Sequence, residues 1–385
     1  MSSKITFVEQ AGRPGANIAA LCREHGISRQ TGHKWLKRYR EVGYDGLEEQ
    51  SRRPRASPLA TGEEVVASLL AARVKHPRWG ARKLARLLER QFGALAPKER
   101  TVARVLERFG QIRQRRKRRG LSVVERAPEV VAEASNDVWT IDFKGWWRAT
   151  DGTRCNPLTV RDAHSRYLLA LALLPRSTAE EVRPVLERLF RRHGIPKAIQ
   201  CDNGTPFICM RAAAGLTKLS AWWVSLGIRI VCSRPGCPQD NGAHERVHVD
   251  IAADLQAAPE ATLVLQQRAC NKWRQEFNHV RPHDALRGKA PADVYRPSPT
   301  RPKTRTPLYP PGWITRRVKS DGTVGQGSFV STAVAGHVVG LQALGGLRYR
   351  AWYYDVDLGP FEMTPSISVL SRLSHNVQPG RSVTF

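Results

Sequence analysis

Acidic side chains are scarce in this chain: 34 Asp and Glu stand against 62 Lys and Arg, a formal charge of +28 over 385 residues. Such a shortage points to polyanionic partners, among which nucleic acid is the commonest in the cytoplasm. An anionic membrane is the rival. However, no apolar run approaches the roughly 20 residues of a spanning helix. The N-terminus, Met1-Ser-Ser-Lys-Ile-Thr, also lacks the apolar core of a signal peptide. A soluble, cytoplasmic, nucleoid-associated protein without membrane partners is expected. Cysteines are few, odd in number (seven) and scattered, which excludes a paired disulfide framework and predicts reduced thiols. Hydrophobic residues at 41% are not depleted, which excludes wholesale disorder. The basic excess is not confined to a tail: 29 basic against 14 acidic residues up to position 135, and 33 against 20 beyond it.

What is present begins with helical patterns. Residues 17–25 read as a short amphipathic helix with Ile18, Leu21 and Cys22 on one face, ended by Gly26. Ser28 then caps a second helix whose apolar face is Trp35, Leu36 and Tyr39, with Arg29, Gln30, His33, Lys34 and Lys37 directed outward. Helix, glycine turn and capped basic helix form the helix-turn-helix pattern, whose second helix enters a major groove. A plain helical hairpin would read the same way. A linker with Arg52, Arg53 and Arg55 follows. A second pair carries Leu84, Leu87 and Leu88 on one helix and Val102, Val105, Leu106 and Phe109 on the other, with Arg100, Thr101 and Arg104 near a second groove-facing surface. The run Arg115-Arg116-Lys117-Arg118-Arg119 is either a solvated arm or a clamp on a nucleic-acid backbone.

From Asn136 the texture becomes β/α. Strands are expected at 138–143, 157–162 and 167–174. A helix from Thr178 to about His193 follows, then a strand at 197–201, a helix at 213–226, a strand at 228–232 and a helix near 262–279. This is the order of a mixed α/β sheet. Residues 296–311 are rich in Pro and Arg, and the remainder alternates like a small β-barrel. The expected organisation is therefore two all-α helix-turn-helix modules (1–50 and 61–112), basic linkers (51–60 and 113–135), an α/β core (136–295), a Pro-rich linker (296–311) and a small β-barrel (312–385).

Three acids stand in informative contexts on this basic background. Asp142 sits mid-strand in Trp139-Thr-Ile-Asp, Asp202 at a strand end before Asn203-Gly204, and Glu245 early in a helix after a Gly- and Pro-rich loop. Each alone is explained by a surface charge or a helix cap. Together, converging carboxylates repel unless divalent cations sit among them, and a cation pair drives phosphoryl transfer. A competing pattern, Cys232-x4-Cys237-x6-His244-x3-His248, approaches zinc-ligand spacing, although its middle gap is short.

The segments Trp139-x-x-Asp142, Asp202-Asn-Gly-x-x-Phe207 and Pro235-Gly-x-Pro-Gln-x-Asn241-Gly-x-x-Glu245 resemble the three signatures of the retroviral-integrase superfamily core. With Phe277-Asn-His-Val-Arg-Pro-His-Asp-Ala-Leu286, where Phe277 replaces the usual Tyr, the chain is similar to bacterial insertion-sequence transposases of that superfamily. The resemblance implies a ribonuclease-H-like core and a DNA transposase that cleaves transposon ends and transfers strands into target DNA. It implies Asp142, Asp202 and Glu245 as catalytic residues and metal ligands, and two Mg²⁺ or Mn²⁺ ions. It further implies double-stranded DNA as partner, a homo-oligomer on it, and room for an accessory ATPase. His244 or Arg246 is a candidate phosphate contact. The interval from Asp202 to Glu245 is longer than in retroviral integrases, the surplus lying near Met210–Trp223. A DNA-binding regulator built on an inactive transposase, or a structure-selective nuclease, are the alternative functions.

Overall fold

The computed structural model describes residues 2–49, 60–112, 131–233 and 242–364. The chain divides into two compact units, residues 1–62 and 63–385.

The first unit folds as α1 (Ser2–Ala11), α2 (Ile18–Glu24) and α3 (Arg29–Val42). Asn17 caps α2 by accepting from the Ala19 and Ala20 amides, and Ser28 caps α3 by accepting from the Thr31 amide at 3.1 Å. Gly26, between the two helices, takes φ +62°, a conformation that costs a Cβ-bearing residue dearly. Helix α1 was not legible in the sequence. It completes the core by setting Phe7, Val8 and Ala11 against Cys22, Leu36 and Leu47. The crossing is tight at Gly32, where an added Cβ would lie 2.6 Å from Cys22 Sγ and 2.8 Å from the Phe7 ring. Gly32→Ala is therefore expected to destabilise this unit by about 1–3 kcal/mol, despite the better helix propensity of alanine. Thermal denaturation of the full chain checks this, and an unchanged or raised midpoint would show that the crossing has slack.

The second unit begins with α4 (Glu63–Lys75), α5 (Ala81–Phe92) and α6 (Glu99–Arg108), packed around Leu69, Trp79, Leu84, Leu88, Val102 and Leu106. Here α4 was again missed. Phe109, expected on the apolar face, lies past the end of α6 and is exposed.

The central sheet comprises β1 (Val138–Phe143), β2 (Trp147–Arg148), β3 (Arg154–Asp162), β4 (Leu168–Leu174), α7 (Ala179–His193) crossing to β5 (Ala198–Cys201), then α8 (Lys218–Ser225) and β6 (Arg229–Cys232). β4, β3 and β1 are antiparallel neighbours; β1, β5 and β6 run parallel; β2 pairs the start of β3. Then come α9 (Gly242–Ile251), α10 (Leu263–His279) and the short α11 (Pro291–Val294). Alternation along β1 and β3 divides the two faces. Trp139, Ile141, Leu158 and Val160 enter a core with α7 and Trp223 of α8. On the opposite face Val247 and Ile251 of α9 pack with Cys270 and Phe277 of α10. Helix α8 is shorter than expected. Residues 213–215 form a separate 3₁₀ turn with Ala214 at φ +52°, which breaks the helical run.

The last strands, β7 (Ile314–Arg317), β8 (Thr323–Val324), β9 (Ser328–Phe329), β10 (Val338–Gly345), β11 (Arg348–Tyr353) and β12 (Val356–Glu362), do not close a barrel among the described residues. They form an open antiparallel sheet in the order β12-β11-β10-β7 and a separate β8-β9 ribbon. Alternation reports which residues face inward, but closure depends on whether the outermost strands meet. The sheet packs onto the core: Val318, Val339, Leu341 and Tyr353 share one cluster with Leu216, Ala221 and Val224 around α8. The surplus between Asp202 and Glu245 is thus largely a docking face. The Pro-rich stretch is equally engaged. The Ile195 amide donates to Thr300 O and the Arg305 amide to Ser225 O, which strap it along the core.

Candidate active site

β1 carries Asp142 on the polar side of its alternation, with Thr140, while Ile141 on the other side enters the core. Its neighbour β5 pairs in parallel register, Val138 with Ala198, Trp139 with Ile199 and Thr140 with Gln200. The pairing ends there; carried two residues further, the same offset would set Asp202 opposite Asp142. Both carboxylates act on Cys201, whose thiol is raised chiefly by its hydrogen bond to Cys232 and by burial, and further by these two charges. Cys232, the register partner of Cys201 on β6, is lowered to about 7 by the same hydrogen bond.

The flanking motif residues have physical work. Trp139 is buried and its Nε1 donates to Asn136 Oδ1 at 3.0 Å, which fixes the start of β1. The same Asn136 oxygen accepts from the Tyr295 hydroxyl at 3.1 Å, so the two ends of the core meet there. Asp202 turns the chain by accepting from the Gly204 amide at 3.4 Å; a Cβ on Gly204 would lie 3.2 Å from its Oδ2. Asn203 Nδ2 donates to Ser233 O at 2.6 Å, tying the turn to the end of β6. Phe207 stacks on Phe143, one residue from Asp142, at 5.9 Å.

Glu245 lies exposed in the first turn of α9, where the helix dipole favours a negative charge. Helix α9 is pinned to the sheet by histidines that the acid pattern did not flag. His244 is fully buried, with Nδ1 against Thr140 Oγ1 at 2.9 Å and Nε2 against Thr159 Oγ1. Burial drives its pKa well below the ordinary value. It is therefore closed to phosphate, which leaves Arg246 of the two candidates, exposed and spaced 3.9 Å from Asp250. His248 Nε2 lies 2.9 Å from Thr159 Oγ1, and its Nδ1 lies 4.0 Å from Asp142 Oδ2. The signals for these residues were present in the sequence: Thr140 shares the strand face of Asp142, and His244 and His248 are spaced i, i+4 on one helix face. Of the zinc pattern, Cys232 shares a hydrogen bond with Cys201, the two histidines face threonines, and Cys237 lies outside the described residues. Among the described residues no group of three or more His, Cys, Asp or Glu is gathered tightly enough to hold a metal ion.

The Phe277–Leu286 stretch acts through this helix. Asn278 brackets Leu168 of β4, accepting from its amide at 2.8 Å and donating to its carbonyl at 3.0 Å. Arg281 Nη2 donates to Asp250 Oδ2 at 2.5 Å, both side chains being nearly fully buried. Arg78, following α4, reaches the same Asp250 at 3.5 Å and Asp254 at 3.2 Å, and His76 meets Glu276 at 3.1 Å. The α4–α6 module is thereby coupled to the helix bearing Glu245. Lys83 of α5 sits in this cluster, and burial lowers its pKa to about 8, assisted by the Arg281 charge.

The groove-facing candidates Arg29, Gln30, His33, Lys34 and Lys37 are all exposed on α3. Arg100 and Arg104 are exposed on α6, while Thr101 is half-buried. Arg52, Arg53, Arg55, Arg115, Arg116, Lys117, Arg118, Arg119 and Asn241 lie outside the described residues. No helix among the described residues is long and apolar enough to cross a membrane.

The chain is similar to several known proteins. Family profiles described as an integrase core domain match residues 132–238 and 226–291. A helix-turn-helix domain profile matches 4–55 and a homeodomain-like profile matches 31–106. The insertion element IS407 uncharacterized 31.7 kDa protein of Burkholderia multivorans is 29% identical over 239 residues, 62% of this chain and 83% of that protein. The insertion element IS476 uncharacterized 39.2 kDa protein of Xanthomonas euvesicatoria is 26% identical over 279 residues, 72% of this chain and 77% of that protein. A solved HTLV-2 integrase catalytic core domain in complex with magnesium overlaps 43% of this chain and all of its own, at 16% identity and a TM-score of 0.33.

Proposed function

We propose that this chain, with its integrase core domain and helix-turn-helix modules, is a DNA transposase that binds the ends of its own element, cleaves them and joins them to target DNA. One observation supports the reading: β1 and β5 pair in parallel, with an offset that, carried past the paired residues, directs Asp142 and the Asp202 turn to the same end of the sheet. Glu245 lies one turn before His248, and residues three apart share a helix face, so the helix face that reaches Asp142 also bears the third acid.

Asp142, Asp202 and Glu245 would hold the metal ions. Their hard carboxylate oxygens suit Mg²⁺ or Mn²⁺, which commonly take one or two carboxylates and complete their shell with water and substrate phosphate. When bound, two such ions activate the attacking oxygen and stabilise the leaving one. The chain's own residues orient the acids: Thr159 anchors the backbone of β1 by donating to Asp142 O at 3.0 Å, and Asn203 fixes the Asp202 turn. Exposed cations on α3 and α6 would carry the duplex, with Arg246 beside the acids as a phosphate contact. A homo-oligomer that brings two ends together, and an accessory ATPase, belong to the same reading.

The test is cleavage of duplexes bearing the element's terminal sequences, compared with random duplexes, in Mg²⁺, Mn²⁺ or EDTA. Nicking at the element ends that requires the metal is expected. Sequence-selective binding without metal-dependent nicking would favour a regulator instead, and nicking of branched DNA regardless of sequence would favour a nuclease.

A further inference from the structure

We propose that His248 is a ligand, through Nδ1, to the metal ion held by Asp142; the proposal rests on the metal-site reading above. Thr159 decides the matter. Its hydroxyl has one proton, which it donates to the Asp142 carbonyl at 3.0 Å. Toward the two imidazoles it therefore accepts, and the His248 ring, 2.9 Å away, must carry its proton on Nε2. In the neutral ring Nδ1 is then a bare lone pair. This nitrogen faces Asp142 Oδ2 at 4.0 Å, and no hydrogen-bond donor among the described residues reaches it.

The pair is not a salt bridge despite its spacing. At 4.0 Å the nitrogen and the carboxylate oxygen are beyond hydrogen-bond distance, so no proton bridges them. A lone pair and a carboxylate oxygen repel, and a cation between them would attract both. From a separation of 4.0 Å, about 1 Å or less of side-chain movement would let this nitrogen and this oxygen share one ion. The other side of the ring has the support usual for a metal-binding histidine, a hydrogen bond that fixes tautomer and orientation. His244 buttresses that support: its ring lies 4.9 Å from that of His248 and is itself held between Thr140 and Thr159. The His248 side chain remains 14% exposed, so an ion can reach it.

A nitrogen ligand shifts preference toward Mn²⁺ and away from Mg²⁺, which favours oxygen. The test is Mn²⁺ binding to the full chain without DNA, followed by electron paramagnetic resonance. Wild type should show a nitrogen coupling to Mn²⁺ that changes signature when the histidines are labelled with ¹⁵N, a readout that needs no variant to fold. His248→Asn should lose the coupling and weaken Mn²⁺ binding by about tenfold or more, with a smaller effect on Mg²⁺ measured by competition. Mn²⁺ bound by wild type without nitrogen coupling, or coupling that persists in His248→Asn, overturns the proposal and leaves the carboxylate site standing. Mn²⁺ binding unaffected by Asp142→Asn would overturn both.

Discussion

Replacement of Asp142 by Asn, Asp202 by Asn or Glu245 by Gln is expected to abolish metal-dependent strand cleavage while duplex binding persists. Each change keeps the shape of the side chain and removes its charge. Fold is spared because the Thr159 anchor uses the Asp142 backbone carbonyl, and because Asp202 and Glu245 are exposed. Binding is spared because the reading candidates of α3 belong to a different compact unit from the acids. Loss of an outer partner of a metal ligand already costs about 10–100-fold, so loss of a ligand should exceed about 100-fold. Cleavage of end-labelled duplexes, with binding followed in parallel by mobility shift, measures both quantities. Full cleavage by any one variant would remove that residue from the site, and a parallel loss of binding would mean that the change acts on structure.

Arg281→Ala is the second large effect, expected to cost about 3–5 kcal/mol of stability. Removing one member of a buried pair leaves the other charge less compensated, and Asp250 would retain Arg78 at 3.5 Å, Arg246 at 3.9 Å and the Lys83 charge. Those residual partners place the expectation toward the lower end. Asp250→Ala should be at least as harmful, since Arg281, Arg78 and the half-buried Lys83 would then face one another without their shared anion. Urea denaturation checks both; a loss below about 1 kcal/mol would show that the pair is redundant. Because Asp250 lies on α9, the Arg281 variant should also lose more cleavage than binding.

The sequence made the central sheet legible because its alternation is clean: Trp139 and Ile141 face one way, Thr140 and Asp142 the other. It also marked the capped helices, since Asn17, Ser28 and Gly26 act locally. Helices α1 and α4 were hidden because their apolar residues do not form a clear stripe; Phe7 and Val8 are adjacent, and α4 is rich in alanine and valine. What the sequence left open has a different cause. Whether His244 meets phosphate or threonine, whether the C-terminal strands close, and whether residues 296–311 hang free or lie strapped are decided by partners distant in the chain. The Arg281-Pro-His motif was visible as a pattern, but its meaning, a buried grip on α9, required Asp250 to be found across the fold.

The cluster shared by α8 and the C-terminal sheet bears on how the chain can be shortened. Leu216, Ala221 and Val224 are buried against Val339, Leu341 and Tyr353, and the Tyr353 hydroxyl donates to Ala221 O at 3.2 Å. A fragment ending near residue 311 would leave that apolar face wet, so the core is not a portable piece, and protease nicking of the strap should yield two fragments that still co-migrate on a sizing column. The longer interval between the second and third acids thus makes the core that bears them and the tail obligate companions.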